Sequence, residues 1–266
     1  IALLLVALIP LITLFHRDDV GRWDIARSVM SAPDEPAYLL MADAFLHHRT
    51  VSTRATLGRD AFYQPGYPVL LAIWFAFIGE SALHAHLLNA LLLCAATAIT
   101  YPLCLRLLRM LSPDLGAGGK GAAEWLALLI TALFATNWHV LGTALFVFSE
   151  PAFMVATLAW AALALEWRDL PQVPGKTAVI AALAAWAYLI RGAGLVCMAA
   201  TFLYAAASLV RSLWIRRFAR AAPQSPLRSS WAAQRVAALV IMLVLFAAAR
   251  YATAYMNEAP NSYPRQ

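Results

Sequence analysis

Long apolar runs separated by polar connections follow one another along almost the whole chain. A transmembrane helix needs roughly 20 apolar residues, and we interpret about seven runs as crossings. They are Ile1–Phe15, Leu83–Leu105, Trp125–Val140, Pro151–Leu165, Ala178–Ile190, Gly194–Val210 and Val236–Ala254. The run Tyr67–Ile78 is too short to cross and predicts an interfacial or re-entrant helix. The pattern therefore predicts an all-α, polytopic transmembrane bundle that forms one module over residues 1–266.

The first run, Ile1–Phe15, is shorter than a full span. It has no basic segment before it and no small-residue cleavage site after it, so a signal peptide is not indicated. We interpret it as part of a first span. The chain also ends soon after its last apolar run, and we expect it to be truncated at both ends.

The composition supports a membrane protein. Hydrophobic residues make up 62% of the chain and charged residues 13%, against about 25% charged in an ordinary soluble domain. Cys94, Cys104 and Cys197 all lie inside apolar runs, which indicates packing rather than disulfides or a cysteine metal site. Frequent alanine and arginine favour a bacterial source, and hence the inner or plasma membrane.

Basic residues concentrate in the connections between runs. The net charge of +6 is therefore attributed to membrane topology, and no nucleic-acid partner is expected. Arginine and lysine place three connections inside: Arg106–Gly121, Arg168–Thr177 and Arg211–Arg235. The segments predicted outside are His16–Pro65 (the first outer loop), Asn137–Glu150, Arg191–Gly194 and the C-terminal tail.

Acidic residues in the first outer loop are the first candidates for chemistry. Asp34 and Glu35 precede Pro36, which suits a first helical turn. An amphipathic interfacial helix is predicted next, because apolar residues recur at helical spacing: Tyr38, Met41, Ala42 and Phe45. His47 and His48 end this helix and are expected to be solvated. Asp34 as a simple helix cap remains an alternative.

Two further segments lie on the same predicted outer face. Phe62–Pro68 ends the loop and starts the short helix, which is also typical of a rigid turn. Glu150 opens one run and Arg191 closes another. Ionisable groups at membrane depth are functional candidates, although Glu150 could cap a helix and Arg191 could reach lipid headgroups.

These segments resemble the membrane glycosyltransferases of GT-C fold, including protein O-mannosyltransferases and bacterial aminoarabinose transferases. The elements that carry the resemblance are Asp34-Glu35-Pro36-Ala37-Tyr38, Gln64-Pro65-Gly66-Tyr67-Pro68, Phe148-Ser149-Glu150-Pro151 and Leu189-Ile190-Arg191 with Gly194. They are similar to that family's Asp-Glu-x-x-Tyr, Pro-Pro-x-Tyr-Pro, Ser-Glu-Pro and Leu-(Thr/Ile)-(Lys/Arg) elements, in the same order. Gln64 departs from the pattern, since relatives carry a proline there or an acid nearby, and a metal contact at Gln64 is therefore in doubt.

The resemblance implies transfer of a sugar from a polyprenyl-phosphate donor to a lipid, glycan or protein acceptor on the extracytoplasmic face. Asp34 is the expected general base, with Glu35 orienting it or contacting the sugar. Arg191 is expected to bind the donor phosphate, and Glu150 to bind sugar hydroxyls or fix Arg191. Tyr38, Gln64 and Tyr67 are the further expected donor-site residues. No metal ligand is assigned, and a need for a divalent metal stays open.

A transporter or flippase of a lipid-linked substrate is the main alternative. Such proteins place ionisable groups or broken helices near the bilayer midplane. No charge lies at the centre of a confident run here, which favours an enzyme that works at the membrane surface. A noncatalytic subunit of a membrane complex remains a third hypothesis.

Overall fold

A computed structural model describes residues 1–15, 34–48, 63–112, 121–144, 146–165, 174–218, 236, 240–241 and 243–251. These residues are 89% helical and contain no strand, so the predicted all-α class is confirmed for them. Most of the first outer loop, the middle of each predicted inner connection and the C-terminal tail lie outside the described residues.

The helices follow the predicted runs closely. They are α1 (Ala2–Ala7), α2 (Ile9–Phe15), α3 (Glu35–His48), α4 (Gly66–Ile78), α5 (Ala82–Leu111), α6 (Ala122–Thr136), α7 (Trp138–Ala144), α8 (Glu150–Ala164), α9 (Pro174–Ile190) and α10 (Leu195–Phe218), with a 3₁₀ turn at Gly192–Gly194 before α10. Residues 243–251 form a further helix, α11.

Helix α5 is the centre of the arrangement. Its 30 residues correspond to about 45 Å at 1.5 Å per residue. Ser81 caps its N-terminus, where the side-chain oxygen accepts a hydrogen bond from the backbone N–H of His84 at 3.1 Å. It packs against α1, α2, α4, α6, α7 and α8. Helix α9 packs against α4, α8 and α10, and α3 packs on α4.

Two helical segments are long and apolar enough to cross a membrane: Ala82–Leu111 and Gly192–Arg211. Only 28% and 17% of their most apolar windows are buried inside the protein. A core helix of a soluble protein would be mostly buried, so these segments present apolar surface outward. The crossings predicted at α6, α8 and α9 correspond to shorter apolar helices and stay predictions.

Two predicted single runs are each divided into two helices. Ile1–Phe15 forms α1 and α2, which meet at Leu8. Trp125–Val140 is interrupted at Asn137, whose backbone is extended at φ −64° and ψ 122°. The Asn137 Oδ1 accepts a hydrogen bond from the backbone N–H of His139 at 2.9 Å, so this polar residue ends α6 and caps α7.

The short helices predicted in and after the first outer loop are both present. In α3, Tyr38, Met41 and Ala42 are buried, as the helical spacing predicts. Burial extends further round the helix, to Ala37 and Ala44. The reason is that α4 packs against α3 and covers surface that an isolated interfacial helix would expose.

Gly194 allows the turn after α9 to fold back on that helix. A Cβ at this position would overlap the backbone of Ala187 and Tyr188. We expect Gly194→Ala to lower the free energy of unfolding by at least about 1–3 kcal/mol, because backbone atoms cannot move aside as a flexible side chain can. Thermal unfolding in detergent measures this.

The matched control for Gly194→Ala is Gly142→Ala in α7. A Cβ at Gly142 meets no atom within 4 Å, so this change should be neutral or stabilise by about 0.5–1 kcal/mol through helix propensity. Equal effects of the two changes would contradict the close approach at Gly194.

Candidate functional site

Asp34 lies at the start of α3, where the chain enters the bundle. Its Oδ1 accepts a short hydrogen bond from the Tyr63 hydroxyl. The Tyr63 ring lies against the Tyr38 ring, with centroids 4.8 Å apart. The carboxylate is therefore fixed at the beginning of the helix by a phenol from the segment that precedes α4.

Arg191 and Glu150 meet although they begin and end different helices. The Arg191 guanidinium forms an ion pair with the Glu150 carboxylate. Their side chains are 40% and 34% exposed, so the pair lies at an open surface rather than inside the bundle. A half-exposed pair of this kind contributes little to stability, and it leaves guanidinium donors free to meet a ligand.

Tyr38 connects the acid end of α3 to this ion pair. Its hydroxyl donates a hydrogen bond to the Ser149 Oγ at 3.1 Å. Burial raises the pKa of Tyr38 most, and the charges of Glu150 and Asp34 raise it further, while the Ser149 hydrogen bond and Arg191 lower it. The phenol therefore stays protonated at neutral pH and acts as a donor.

The same influences show that Asp34, Glu150 and Arg191 surround one phenol. We call Asp34, Tyr38, Glu150 and Arg191 the acid–arginine cluster. It combines a carboxylate that can accept a proton with a guanidinium that can bind an anion. These are the groups that transfer from a phosphate leaving group requires.

Glu35 faces a different environment from Asp34. Its carboxylate is fully buried, and its Oε1 lies 3.0 Å from the Nε2 of His86, which is 1% exposed. The two groups are at ion-pair distance without the alignment of a hydrogen bond. Of the two roles expected for Glu35, holding Asp34 in place fits this burial and direct contact with the sugar does not.

Tyr67 is also fully buried. Its hydroxyl donates to the Asn89 Oδ1 at 2.8 Å. The Asn89 amide in turn donates to the carbonyls of Phe146 and Phe148, at 2.8 Å and 3.1 Å. Tyr67 thus supports the segment that leads to Ser149 and Glu150 rather than facing a ligand, which differs from its expected donor contact.

Gln64 lies beside the turn that follows Arg191. Its Nε2 is 3.9 Å from the place where a side chain on Gly192 would begin. Its Oε1 is buried and has no hydrogen-bond partner among the described residues. A buried amide oxygen of this kind is costly unless a ligand or water satisfies it, so Gln64 is suited to a polar ligand.

The sequence interpretation did not assign a role to four residues of this region: Tyr63, His86, Asn89 and Ser149. A signal for two of them exists in the sequence. His86 and Asn89 are three residues apart in an otherwise apolar run, so they share a helix face, and buried polar groups in such a face need partners. Their partners come from distant segments and could not be identified from spacing.

The opposite end of α5 carries a different contact. Arg109 Nη2 donates to Glu124 Oε1 at 2.6 Å, and both side chains are exposed. This pair joins the two ends of the connection predicted inside. It lies about 20 residues of helix, or about 30 Å, from Asn89, and it provides control positions remote from the acid–arginine cluster.

No family model, curated protein or solved structure matches this chain. Its function is therefore inferred from its own residues.

Proposed function

We propose that this chain is the membrane-embedded part of a glycosyltransferase of GT-C type. It would transfer a sugar from a polyprenyl-phosphate donor to an acceptor at the extracytoplasmic face of a polytopic bundle. The observation that carries the proposal is the acid–arginine cluster, in which Asp34 and Arg191 act on the same buried phenol although they are far apart in sequence.

The proposed reaction is a single displacement at the anomeric carbon. An acceptor hydroxyl forms the new C–O bond and gives its proton to Asp34. The bond from the anomeric carbon to the phosphate oxygen breaks, and its electron pair leaves with the polyprenyl phosphate. One direct attack inverts the anomeric centre. No step is assigned to a metal, because Gln64 offers a neutral amide where an acid would be needed.

Arg191 is proposed to bind the phosphate that leaves. Its planar guanidinium can make a two-pronged contact with phosphate oxygens. Glu150 already holds the guanidinium in place, which supports the positioning role for Glu150. Gln64 is proposed to bind a sugar hydroxyl through its unsatisfied amide oxygen.

An apolar cavity beside the cluster supports a lipid-linked donor. It has a volume of about 320 Å³ and lies between α4 and α9, lined by residues that include Pro65, Ile73, Trp186 and Leu189. Pro65 is next to Gln64, and Leu189 is two residues before Arg191. An isoprenoid tail in this cavity would bring its phosphate to the guanidinium.

We expect Arg191→Ala to lower kcat/KM for the lipid-phosphate donor by roughly 30- to 1,000-fold. This corresponds to the loss of about 2–4 kcal/mol of stabilisation of the departing phosphate. Arg191→Lys should recover part of the activity, since it keeps the charge and loses the two-pronged contact. Initial rates at varied donor concentration, with the protein in nanodiscs, measure both.

Arg109→Ala is the control for Arg191→Ala, because Arg109 is an exposed arginine at the far end of α5. It should leave donor use unchanged. An Arg191→Ala protein with normal donor kinetics would remove Arg191 from the site. Reconstituted vesicles test the rival function: movement of a lipid-linked sugar without any glycosylated product would favour a flippase.

A further inference from the structure

Three exposed side chains meet at the end of α3 that is remote from Asp34. Asp43 and His47 are one helical turn apart on α3, and Glu80 comes from the turn between α4 and α5. One nitrogen or oxygen from each residue lies within 4.8 Å of the others. Asp34 is nine residues before Asp43, about 14 Å along the helix, so the acid–arginine cluster does not include this group.

The histidine ring is oriented by its own helix. His47 Nδ1 is 3.1 Å from the backbone carbonyl oxygen of Asp43 and 3.1 Å from the Asp43 Oδ1. A proton on Nδ1 therefore donates to Asp43, and the lone pair of the neutral ring lies on Nε2. Metal-binding histidines are usually held in this way, with the second ring N–H donated to a carbonyl or carboxylate.

The lone pair on Nε2 faces Glu80 across a gap that suits a cation. The distance from His47 Nε2 to Glu80 Oε1 is 3.5 Å, longer than an ordinary hydrogen bond. Two ligands of a tetrahedral zinc ion are about 3.4 Å apart, given metal–ligand bonds of about 2.0–2.2 Å. The observed separation of the two ligand atoms therefore needs almost no change to admit a metal ion.

The turn that carries Glu80 is fixed independently of any metal. Gly79 has a φ of 101°, which favours glycine. Its carbonyl oxygen lies 2.7 Å from the Nδ1 of His84, and Trp74 Nε1 donates to the His84 carbonyl at 2.7 Å. With Ser81 capping α5, the backbone on both sides of Glu80 is held in place.

We propose that Asp43, His47 and Glu80 bind one divalent transition-metal ion of the zinc class and so link the end of α3 to the α4–α5 turn. An imidazole and two carboxylates suit zinc better than calcium, which takes six to eight oxygen ligands. The ion offsets the two negative charges, and three protein ligands leave a position for water. This site does not depend on the proposed glycosyltransferase activity.

A protonated His47 between the two acids is the competing state. The Asp43 carbonyl raises the pKa of His47 most, and the charges of Glu80 and Asp43 raise it further. The two states differ in a measurable way: an imidazolium ion pair takes up no metal.

The experiment is a zinc titration of the untagged protein in detergent, stripped of metal and followed by calorimetry at pH 7.5. We expect one Zn²⁺ per chain. His47→Gln and Glu80→Gln should each weaken binding by at least about tenfold, since each removes a ligand. Asp43→Asn should weaken it too. Cobalt provides a second readout, because Co²⁺ at the site should give an absorption spectrum that His47→Gln abolishes.

His48→Gln is the matched control, since His48 is the adjacent exposed histidine on the same helix. It should bind zinc like the unchanged protein. The substituted residues are exposed, and circular dichroism verifies that each variant is folded. Failure to bind one zinc ion, or binding that is equally strong in His47→Gln and His48→Gln, would overturn the proposed site.

Discussion

Replacing Asp34 by asparagine is expected to lower sugar transfer by about 100- to 10,000-fold, the range typical for loss of a general base. Asparagine has nearly the same shape and its carbonyl oxygen can still accept the hydrogen bond from the Tyr63 hydroxyl. It cannot take a proton from the acceptor hydroxyl. The change should therefore remove the chemical step and leave the helix start intact. Transfer of labelled sugar from a polyprenyl-phosphate donor measures the rate.

Glu124→Gln is the control for Asp34→Asn. It also neutralises one acid, but Glu124 is exposed at the opposite end of α5, and loss of its surface ion pair should cost at most about 1 kcal/mol. We expect normal transfer from this variant. If Asp34→Asn kept full activity, Asp34 would be a helix cap and not the base, and the proposed mechanism would fail.

Replacing His86 by alanine is expected to lower the free energy of unfolding by about 3–5 kcal/mol. The change leaves the Glu35 carboxylate fully buried without its only ion-pair partner among the described residues, and an uncompensated buried charge is strongly destabilising. The cavity left by the imidazole adds to the loss. The thermal unfolding midpoint in detergent, compared with that of the unchanged protein, measures the effect.

His139→Ala is the control for His86→Ala, because His139 is exposed on α7 and its loss should change stability by less than about 0.5 kcal/mol. The double change Glu35→Gln with His86→Leu tests the pair itself. Removing both charges should restore part of the stability lost in His86→Ala. If the double variant is as unstable as the sum of the single changes, the two residues do not interact energetically.

The two predictions differ in what they change, which separates positioning from chemistry. Asp34→Asn should lower activity without affecting the unfolding midpoint. His86→Ala should lower stability first, and activity only because Asp34 is the residue next to Glu35. If His86→Ala changed transfer alone, with an unaltered midpoint, Glu35 and His86 would belong to the catalytic site instead.

The helical architecture could be predicted because it depends on local periodicity. Apolar runs between polar connections predicted α5, α8, α9 and α10, and the spacing of Tyr38, Met41 and Ala42 predicted the buried side of α3. Helix ends were also readable where a polar residue caps the backbone, as Ser81 does. They were not readable at Asn137, where the apolar run continues and only the backbone shows the break.

Candidate residues could also be found in the sequence, because charges in an apolar chain are few. Asp34, Glu35, Glu150 and Arg191 attracted attention for that reason, together with their resemblance to known motifs. The residue types restricted the chemistry to a base and an anion-binding group. Their sites in the chain did not determine which of them would meet.

Tertiary packing alone decided the direction of each side chain. Successive residues on a helix point about 100° apart, so Asp34 and Glu35 were bound to face different surroundings, and only the positions of Tyr63 and His86 decide which acid is buried. Likewise Glu80 meets His47 only because α3 packs on α4. Sequence periodicity reports how a segment contacts its own helix, whereas such meetings depend on contacts between segments far apart in the chain.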